Sequence, residues 1–146
     1  MPASTNATFE NIAGYPVSAS DVIRIPLDEN NGDQEILDTP GVGFKYRVVQ
    51  LVATLALSNA AGDGDDTATA AFFSGTTALT GAMELAAGDA GASDWTSGSA
   101  PMVAVLVLPF NEIGWFETAE NEKLKVTTAN TAAGINGVLG YIKMPV

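Results

Sequence analysis

Apolar and polar residues alternate along several short stretches of the chain, which is the pattern of β-strands with one solvent-facing side. The first clear case is Val22–Leu27, where Pro26 indicates an edge strand or a strand end. The alternation returns in Lys123–Thr127 and in Asn136–Met144. Ala78–Leu85 fits either a strand or the start of a short helix, and no other stretch suggests a helical period. The pattern therefore predicts an all-β protein.

The longest strand-like stretch, Val42–Ser58, changes phase in its middle. Its apolar residues occupy even positions up to Val48 and odd positions from Val49 to Leu57. Alternate side chains of a regular strand must point to opposite faces, so this change requires a local irregularity. A β-bulge at Val48–Val49, or a strand that passes from one sheet to the other, would supply it.

Two further stretches are apolar on both faces. Ala100–Phe110 has this character throughout, which predicts a central strand that is covered on both sides. The last strand has Val138, Ile142 and Met144 on one face and Leu139 and Tyr141 on the other.

Clusters of Gly, Asp, Asn and Ser separate the predicted strands, most clearly at Glu29–Asp33, Asn59–Asp66 and Ala86–Ser99. About eight short strands at this spacing predict a two-sheet β-sandwich, jelly-roll-like, with a barrel as the alternative. We expect residues 21–146 to form the sandwich domain and residues 1–20 to form an N-terminal arm. The arm is either a frayed terminus or an extended segment that docks on a neighbouring subunit through its isolated apolar residues, Phe9, Ile12, Tyr15 and Val17.

The charge balance limits the partners of the protein. Its 146 residues include 17 acidic and six basic side chains and no histidine, which gives a net charge of -11. Such a chain cannot present a large cationic face to nucleic acid, and its charge disfavours an anionic membrane surface. No stretch approaches the length of about 18 apolar residues that a membrane helix needs. The N-terminus lacks the features of a secretory signal, so we expect a soluble protein made without a cleaved leader.

The absence of cysteine and histidine excludes most familiar catalytic and metal centres, including thiolate nucleophiles, Ser-His-Asp triads and zinc sites. Paired carboxylates could hydrolyse glycosides, but the spacing of the candidates indicates no pair: Glu84, Asp94, Glu112 and Glu117. A cluster of Asp63, Asp65 and Asp66 fits either a Ca²⁺ site or a solvated turn, and it lacks the EF-hand spacing. We therefore predict a protein that is not an enzyme and needs no cofactor.

The two tryptophans are candidate contact residues. Trp115 lies in a dense apolar segment, which favours a place in the core or in a subunit contact over a sugar-binding platform. Trp95 lies among small polar residues and fits either a sugar platform or an anchor at a protein interface. The chain also ends on an apolar residue, Val146, which suits burial against a neighbour.

One part of the sequence resembles small structural proteins of tailed bacteriophages. The matching residues are Leu108-Pro-Phe-Asn-Glu-Ile-Gly-Trp-Phe-Glu-Thr-Ala119, then Leu124-Lys-Val126 and Gly137-Val-Leu-Gly-Tyr-Ile142. Proteins of this type and size often serve as capsid decoration, or cement, proteins. The resemblance implies a largely β fold on the outside of the phage head, a homotrimer and the major capsid protein as partner. It brings no catalytic residues with it.

These observations lead to two expected functions. The first is a structural virion protein, made in the host cytoplasm, that binds the outer capsid surface and clamps neighbouring major-capsid subunits. The second is a module of a phage tail or fibre that binds host glycans through Trp95. For the first function the candidate interface residues are Phe9, Ile12, Tyr15, Val17, Trp95, Trp115 and Val146.

Overall fold

The computed structural model describes residues 9–10, 16–17, 21–57, 68–85, 103–129 and 131–146. Every helix or strand of these residues is a β-strand. In chain order the strands are β1 (Phe9–Glu10), β2 (Pro16–Val17), β3 (Ile23–Glu29), β4 (Gly32–Leu37), β5 (Phe44–Leu57), β6 (Ala68–Ser74), β7 (Thr77–Ala78), β8 (Met83–Leu85), β9 (Val103–Leu108), β10 (Phe116–Glu117), β11 (Leu124–Ala129) and β12 (Thr131–Pro145).

Ten of these strands form two antiparallel sheets. The first sheet has the order β10-β5-β12-β3, and β9 also pairs with β5. The second sheet has the order β4-β11-β6-β7, and β8 also pairs with β6. In the predicted arm, β1 and β2 pair with Phe9 opposite Val17, whereas Ile12 and Tyr15 lie outside the described residues.

The two sheets pack face to face around a single main core. Inward-facing residues alternate with outward-facing ones most regularly in β6 and β11, as the period of two requires. Fully buried side chains come from both sheets and include Leu51, Leu55, Leu139, Phe72, Leu124 and Val126. Burying a side chain of this size stabilises the fold by about 1.5–3 kcal/mol. The predicted all-β sandwich is therefore confirmed, while its jelly-roll connectivity stays a prediction.

The phase change in β5 is a β-bulge, one of the two irregularities that the sequence predicts there. Tyr141 pairs with Val48 and Gly140 with Gln50, so Val49 is an extra residue without an opposite partner. Val48 and Leu51 consequently both face the main core. The bulge is the physical reason why one strand can bury even positions before it and odd positions after it.

Val49 instead belongs to a small apolar cluster on the outer face of the first sheet. Ile142 and Met144 pack with it, and Val22 covers the cluster from the segment before β3. Leu139 and Tyr141 face the main core. The predicted division of the last strand into two apolar faces is therefore confirmed.

The prediction for Ala100–Phe110 is wrong within the residues that are described. β9 pairs with β5 along one side, and its inward residues Leu106 and Leu108 pack against the core. Its outward residues Val105 and Val107 are 59% and 54% exposed, so the strand is covered on one face and not on both. The pattern correctly identified an apolar outer face, but the described part of the chain supplies no layer over it.

Local departures from the sequence prediction are smaller. Ala78–Leu85 forms strand segments and no helix, with β7 and β8 both paired to β6. The turn predicted at Glu29–Asp33 is shorter, because β3 continues to Glu29 and β4 begins at Gly32. β4 itself was not predicted, since its polar sequence hides a strand whose partly buried residues pack on the core.

Candidate interaction surface

Residues 109–115 form a loop that interrupts one edge of the first sheet, and we call it the edge loop. β9 and β10 pair with the same side of β5, one after the other. Leu108 lies opposite Leu51 and Phe116 lies opposite Val48, so the chain leaves the sheet and returns to it beside the bulge. The bulge thus fixes the position of the edge loop, and it also allows β5 to bury even positions before it and odd positions after it.

Backbone hydrogen bonds fasten the edge loop to the bulge. The amide of Asn111 donates to the Val49 carbonyl, and the amide of Trp115 donates to the Val48 carbonyl, both at 2.8 Å. Within the loop, the Gly114 amide donates to the Asn111 carbonyl at 2.9 Å. Asparagine at the first position and glycine at the fourth are typical of a β-turn. The Trp115 Nε1–H also donates to the carbonyl of Pro109 at 2.8 Å. These bonds define one conformation for the loop.

Gly114 is the residue that lets the loop lie close to the sheet. Its φ of +87° is in the left-handed region that side chains disfavour. A Cβ atom at this position would lie 2.5 Å from Cγ and 2.7 Å from Cδ of Arg47. The absence of a side chain at Gly114 therefore allows the loop to cover the aliphatic part of Arg47.

Arg47 is the centre of a charged group beneath the loop. Only 5% of its side chain is exposed, and its Nε donates to Oε1 of Glu117 at 2.6 Å. Lys45 also donates to the Glu117 carboxylate, and the Nη2 of Arg47 donates to the same Oε1. Within the described residues, Nη1 of Arg47 has no hydrogen-bonding partner. This group joins β10 to β5.

The ionisation of Glu117 follows from its partners. Partial burial opposes the charged form, but hydrogen bonds and charge attraction from Lys45 and Arg47 outweigh it. The pKa of the Glu117 carboxyl therefore lies below its ordinary value. A general acid needs a raised pKa, so this carboxyl is suited to an ion pair and poorly suited to the general-acid role of a glycosidase.

The outer surface of the edge loop is apolar. Phe110, Ile113 and Trp115 are all exposed, and 43% of Trp115 is accessible to solvent. Trp115 therefore does not lie in the core, which was one of the two structural places expected for it. Its expected role in a subunit contact stays a prediction. Three large apolar side chains on one ordered loop are typical of a protein interaction site.

The predicted contact residue Val146 lies elsewhere on the same sheet. Its amide donates to the Gly43 carbonyl at 3.0 Å, which fixes the C-terminus beside the beginning of β5. Val146 is 60% exposed, and Val42 and Phe44, the residues on either side of Gly43, are exposed as well. Val146 and Trp115 thus lie on opposite sides of β5, because Val146 follows β12 and Trp115 precedes β10.

Several predicted residues fall outside what the structure describes. Only the backbone is described for Phe9 and Val17, and Trp95 lies wholly outside. The same holds for Ile12, Tyr15 and the candidate cation ligands Asp63, Asp65 and Asp66. Sequence reasoning did not select Phe110 and Ile113. The sequence signal that could have identified them is the Asn-x-x-Gly turn beside Phe110 and around Ile113, because apolar residues at such a turn face outward.

A second exposed apolar surface covers the outer face of the first sheet. Val107, Val52, Val138 and Pro26 lie side by side across four strands, because Val52 pairs with Val107 and Val138, and Val138 pairs with Pro26. All three valines are exposed. We call these four residues the valine row.

Within the described residues, no group of three or more acidic side chains is arranged to hold a metal ion. That part of the chain also contains no helix that is long and apolar enough to cross a membrane. Comparisons with protein-family models, with curated proteins and with solved structures found no match to this chain.

Proposed function

We propose that this protein is a structural virion protein that decorates the outside of a tailed-phage head and clamps neighbouring major-capsid subunits. The observation that carries the proposal is the edge loop. It presents Phe110, Ile113 and Trp115 to solvent while the backbone beneath them is hydrogen-bonded to the bulge. The same residues fall within the segment that resembles phage structural proteins.

The rigidity of the loop supports a role in binding. An ordered loop loses little conformational entropy when it docks, so more of its contact energy appears as affinity. Aromatic side chains with few rotatable bonds add large contact areas, and such residues are frequent among binding hot spots. Gly114 and the Arg47–Glu117 pair hold the loop in place without occupying its outer surface.

The charge of the chain supports a position outside the shell. A net charge of -11 repels packaged DNA and raises the energy of any position close to it. A decoration protein needs an apolar contact that tolerates this charge, and the edge loop offers one. Several such contacts that reach adjacent capsid subunits at once would clamp them together. The overall affinity of linked contacts greatly exceeds the affinity of each one, so no single contact needs to be strong.

Co-sedimentation with undecorated heads tests the proposal. The heads are assembled from the major capsid protein of the same genome and expanded before the purified protein is added. We expect saturable binding with a fixed ratio of decoration protein to capsid subunits, and heads that withstand higher temperature or internal pressure once decorated. Failure of the wild-type protein to bind expanded heads would contradict the proposal.

Matched variants test whether the edge loop is the part of the protein that contacts the capsid. Ile113→Ser and Trp115→Ala should each weaken binding by at least about tenfold, as expected for interface hot spots. Ile23→Ser is the control, because Ile23 is an exposed aliphatic residue outside the edge loop and away from Val146. Equal binding by all variants would move the contact away from the loop. Glycan binding that Trp95→Ala abolishes, with no binding to heads, would instead support the tail or fibre alternative.

A further inference from the structure

Around the valine row, the outer face of the first sheet presents three parallel rows of side chains. The valine row is the middle one. On one side of it lie Val105, Thr54, Asn136 and Asp28, and on the other side lie Gln50, Gly140 and Arg24. Each row crosses the strands along their pairing registers, so neighbouring rows are about 7 Å apart.

Within these three rows, charge is confined to β3. Arg24 and Asp28 lie two residues before and two residues after Pro26, and all three face outward, since Ile25 and Leu27 face the core. Within the three rows these are the sole ionisable side chains. They are of opposite sign and lie at equal distances from the valine row.

This arrangement is self-complementary about a twofold axis that runs along the valine row. A second copy turned about that axis places its valine row on the first one. Arg24 of each copy then faces Asp28 of the other, because the rotation exchanges the two outer rows. A twofold axis parallel to the strands would instead set β3 against β9, so that Asp28 would face Val105. The charges therefore select the first axis.

We propose that the outer face of the first sheet binds a second copy of this chain and forms a symmetric dimer. Stacked sheets pack about 10 Å apart with strands inclined by about 30°, which suits two flat valine-rich faces. Val105 and Val107 gain the second covering layer that their sequence pattern indicates and that the described part of the chain does not provide. The dimer forms in solution whether or not the protein binds a capsid.

Gly140 adds to the fit of the face. Its Cβ would lie 3.1 Å from Cβ of Gln50 and 3.4 Å from Cγ1 of Val22, so neighbouring side chains lie over the glycine. The Nε of Arg24 donates to Oε1 of Gln50 at 3.2 Å across this position. Arg24 is thereby held near the sheet and oriented before a partner arrives.

The size of the face predicts a modest affinity. Four strands span about 19 Å and three rows about 20 Å, which gives a flat footprint of about 400 Å² for each copy. Side chains that project from the sheet enlarge the buried area beyond this flat footprint. The total area buried by the two copies still lies near or below about 1,200 Å², at the lower end for specific interfaces. We expect reversible association with a Kd in the micromolar range.

Light scattering and sedimentation equilibrium test the proposal on the full chain across a concentration series. Salt is kept at about 0.15 M, where a Debye length of about 8 Å screens the repulsion between two acidic chains. We expect a reversible monomer–dimer equilibrium. A monomer at every concentration up to the solubility limit overturns the proposal, and so does the homotrimer that the family resemblance implies.

Charge exchange tests the predicted orientation. Arg24→Asp and Asp28→Arg each place like charges opposite one another, so each should raise the Kd of self-association by at least about tenfold. Mixing these two variants should give a heterodimer, because every Asp then faces an Arg. The double variant Arg24→Asp/Asp28→Arg should dimerise like the wild type. Lys125→Asp, on the outer face of the other sheet, is the control and should leave the Kd unchanged.

The same experiment identifies the rival occupant. If deletion of residues 1–20 converts a monomer to a dimer, the N-terminal segment covers the face in the full chain and the proposal is overturned. Dimers that persist in both single charge variants, with no preference for the mixture, overturn it as well. Val52→Lys at the centre of the valine row should abolish the dimer while the circular dichroism spectrum stays that of a β-sandwich.

Discussion

Replacement of Gly114 by alanine tests how the edge loop is held against the sheet. The substitution adds a single methyl group at a position with φ of +87°. That methyl group would meet Arg47 at 2.5 Å from Cγ, which is closer than real carbon atoms approach. Arg47 is almost fully buried and hydrogen-bonded to Glu117, so it cannot move aside freely.

The magnitude has a backbone part and a contact part. An alanine in the left-handed region costs about 1–2 kcal/mol relative to glycine. Displacing Arg47 disturbs a charge-assisted hydrogen bond, and losing such a bond costs about 1.5–3 kcal/mol. Gly114→Ala should therefore lower the free energy of unfolding by about 3 kcal/mol. For a chain of this size, that corresponds to a fall in Tm of about 6–12 °C.

Urea unfolding measures the free energy, and a double-mutant cycle separates its two parts. In an Arg47→Ala background the methyl group meets no arginine side chain, so Gly114→Ala should cost only the backbone part of about 1–2 kcal/mol. Trp115 reports on the loop by fluorescence in a Trp95→Phe background, because the chain contains two tryptophans. We expect a red-shifted emission in Gly114→Ala.

Two results would refute the reasoning. Equal unfolding free energies for Gly114→Ala and the wild type would show that neither the backbone angle nor the close approach matters. An equal cost with and without Arg47 would show that the loop is not held against that side chain.

Three further changes probe the same region. Glu117→Gln should lower the free energy of unfolding by about 2 kcal/mol at neutral pH, since it leaves the buried Arg47 with a weaker partner. The pKa of Glu117 in the folded state lies below its ordinary value. The stability that the ionised carboxylate contributes is therefore complete at pH values above the ordinary pKa, and it is lost as the pH falls through the folded-state pKa. The unfolding free energies of the wild type and Glu117→Gln should accordingly converge in acid. Thr118→Val should cost about 1–2 kcal/mol, because the Thr118 hydroxyl accepts a hydrogen bond from the buried Tyr46 amide at 3.0 Å. Deletion of Val49 should keep the sandwich, since it restores the regular alternation of inward and outward side chains in β5. It should also release the edge loop, because it removes the carbonyl that accepts a hydrogen bond from the Asn111 amide.

Each of these changes has its own measurement and control. Urea unfolding between neutral pH and about pH 2.5 follows Glu117→Gln, and a constant difference from the wild type across that range would contradict the ion-pair explanation. Thr127→Val, an outward threonine, should cost less than about 0.5 kcal/mol and is the control for Thr118→Val. Circular dichroism and the emission of Trp115 follow the Val49 deletion. A lost β spectrum, or an unchanged emission, would show that the bulge serves another purpose.

The sequence identified the features that depend on local side-chain periodicity. The alternation in β3, β11 and β12 predicted which faces are apolar. The phase change at Val48–Val49 predicted a bulge or a change of sheet, and the structure has the bulge. These predictions succeed because the period of a strand is fixed by backbone geometry, so a buried face must leave a trace in the sequence. β4 left a weak trace, since most of its residues are polar and only partly buried.

The candidate site was less predictable. The sequence indicated Trp115 and Val146 as contact residues, and both are exposed. It did not indicate that β9 and β10 share one edge of β5, because that pairing joins segments far apart in the chain. The ion pair of Arg47 with Glu117 depends on the same pairing.

Composition and periodicity by themselves determined an acidic, cysteine-free and histidine-free all-β chain with an irregularity in the middle of its longest strand. Tertiary structure alone decided which apolar surfaces remain open. Ala100–Phe110 looks in sequence like a strand covered on both sides, yet Val105 and Val107 face outward with no layer over them in the described residues. Periodicity reports that a face is apolar, whereas only the packing of sheets shows whether the chain covers that face itself or leaves it for a partner.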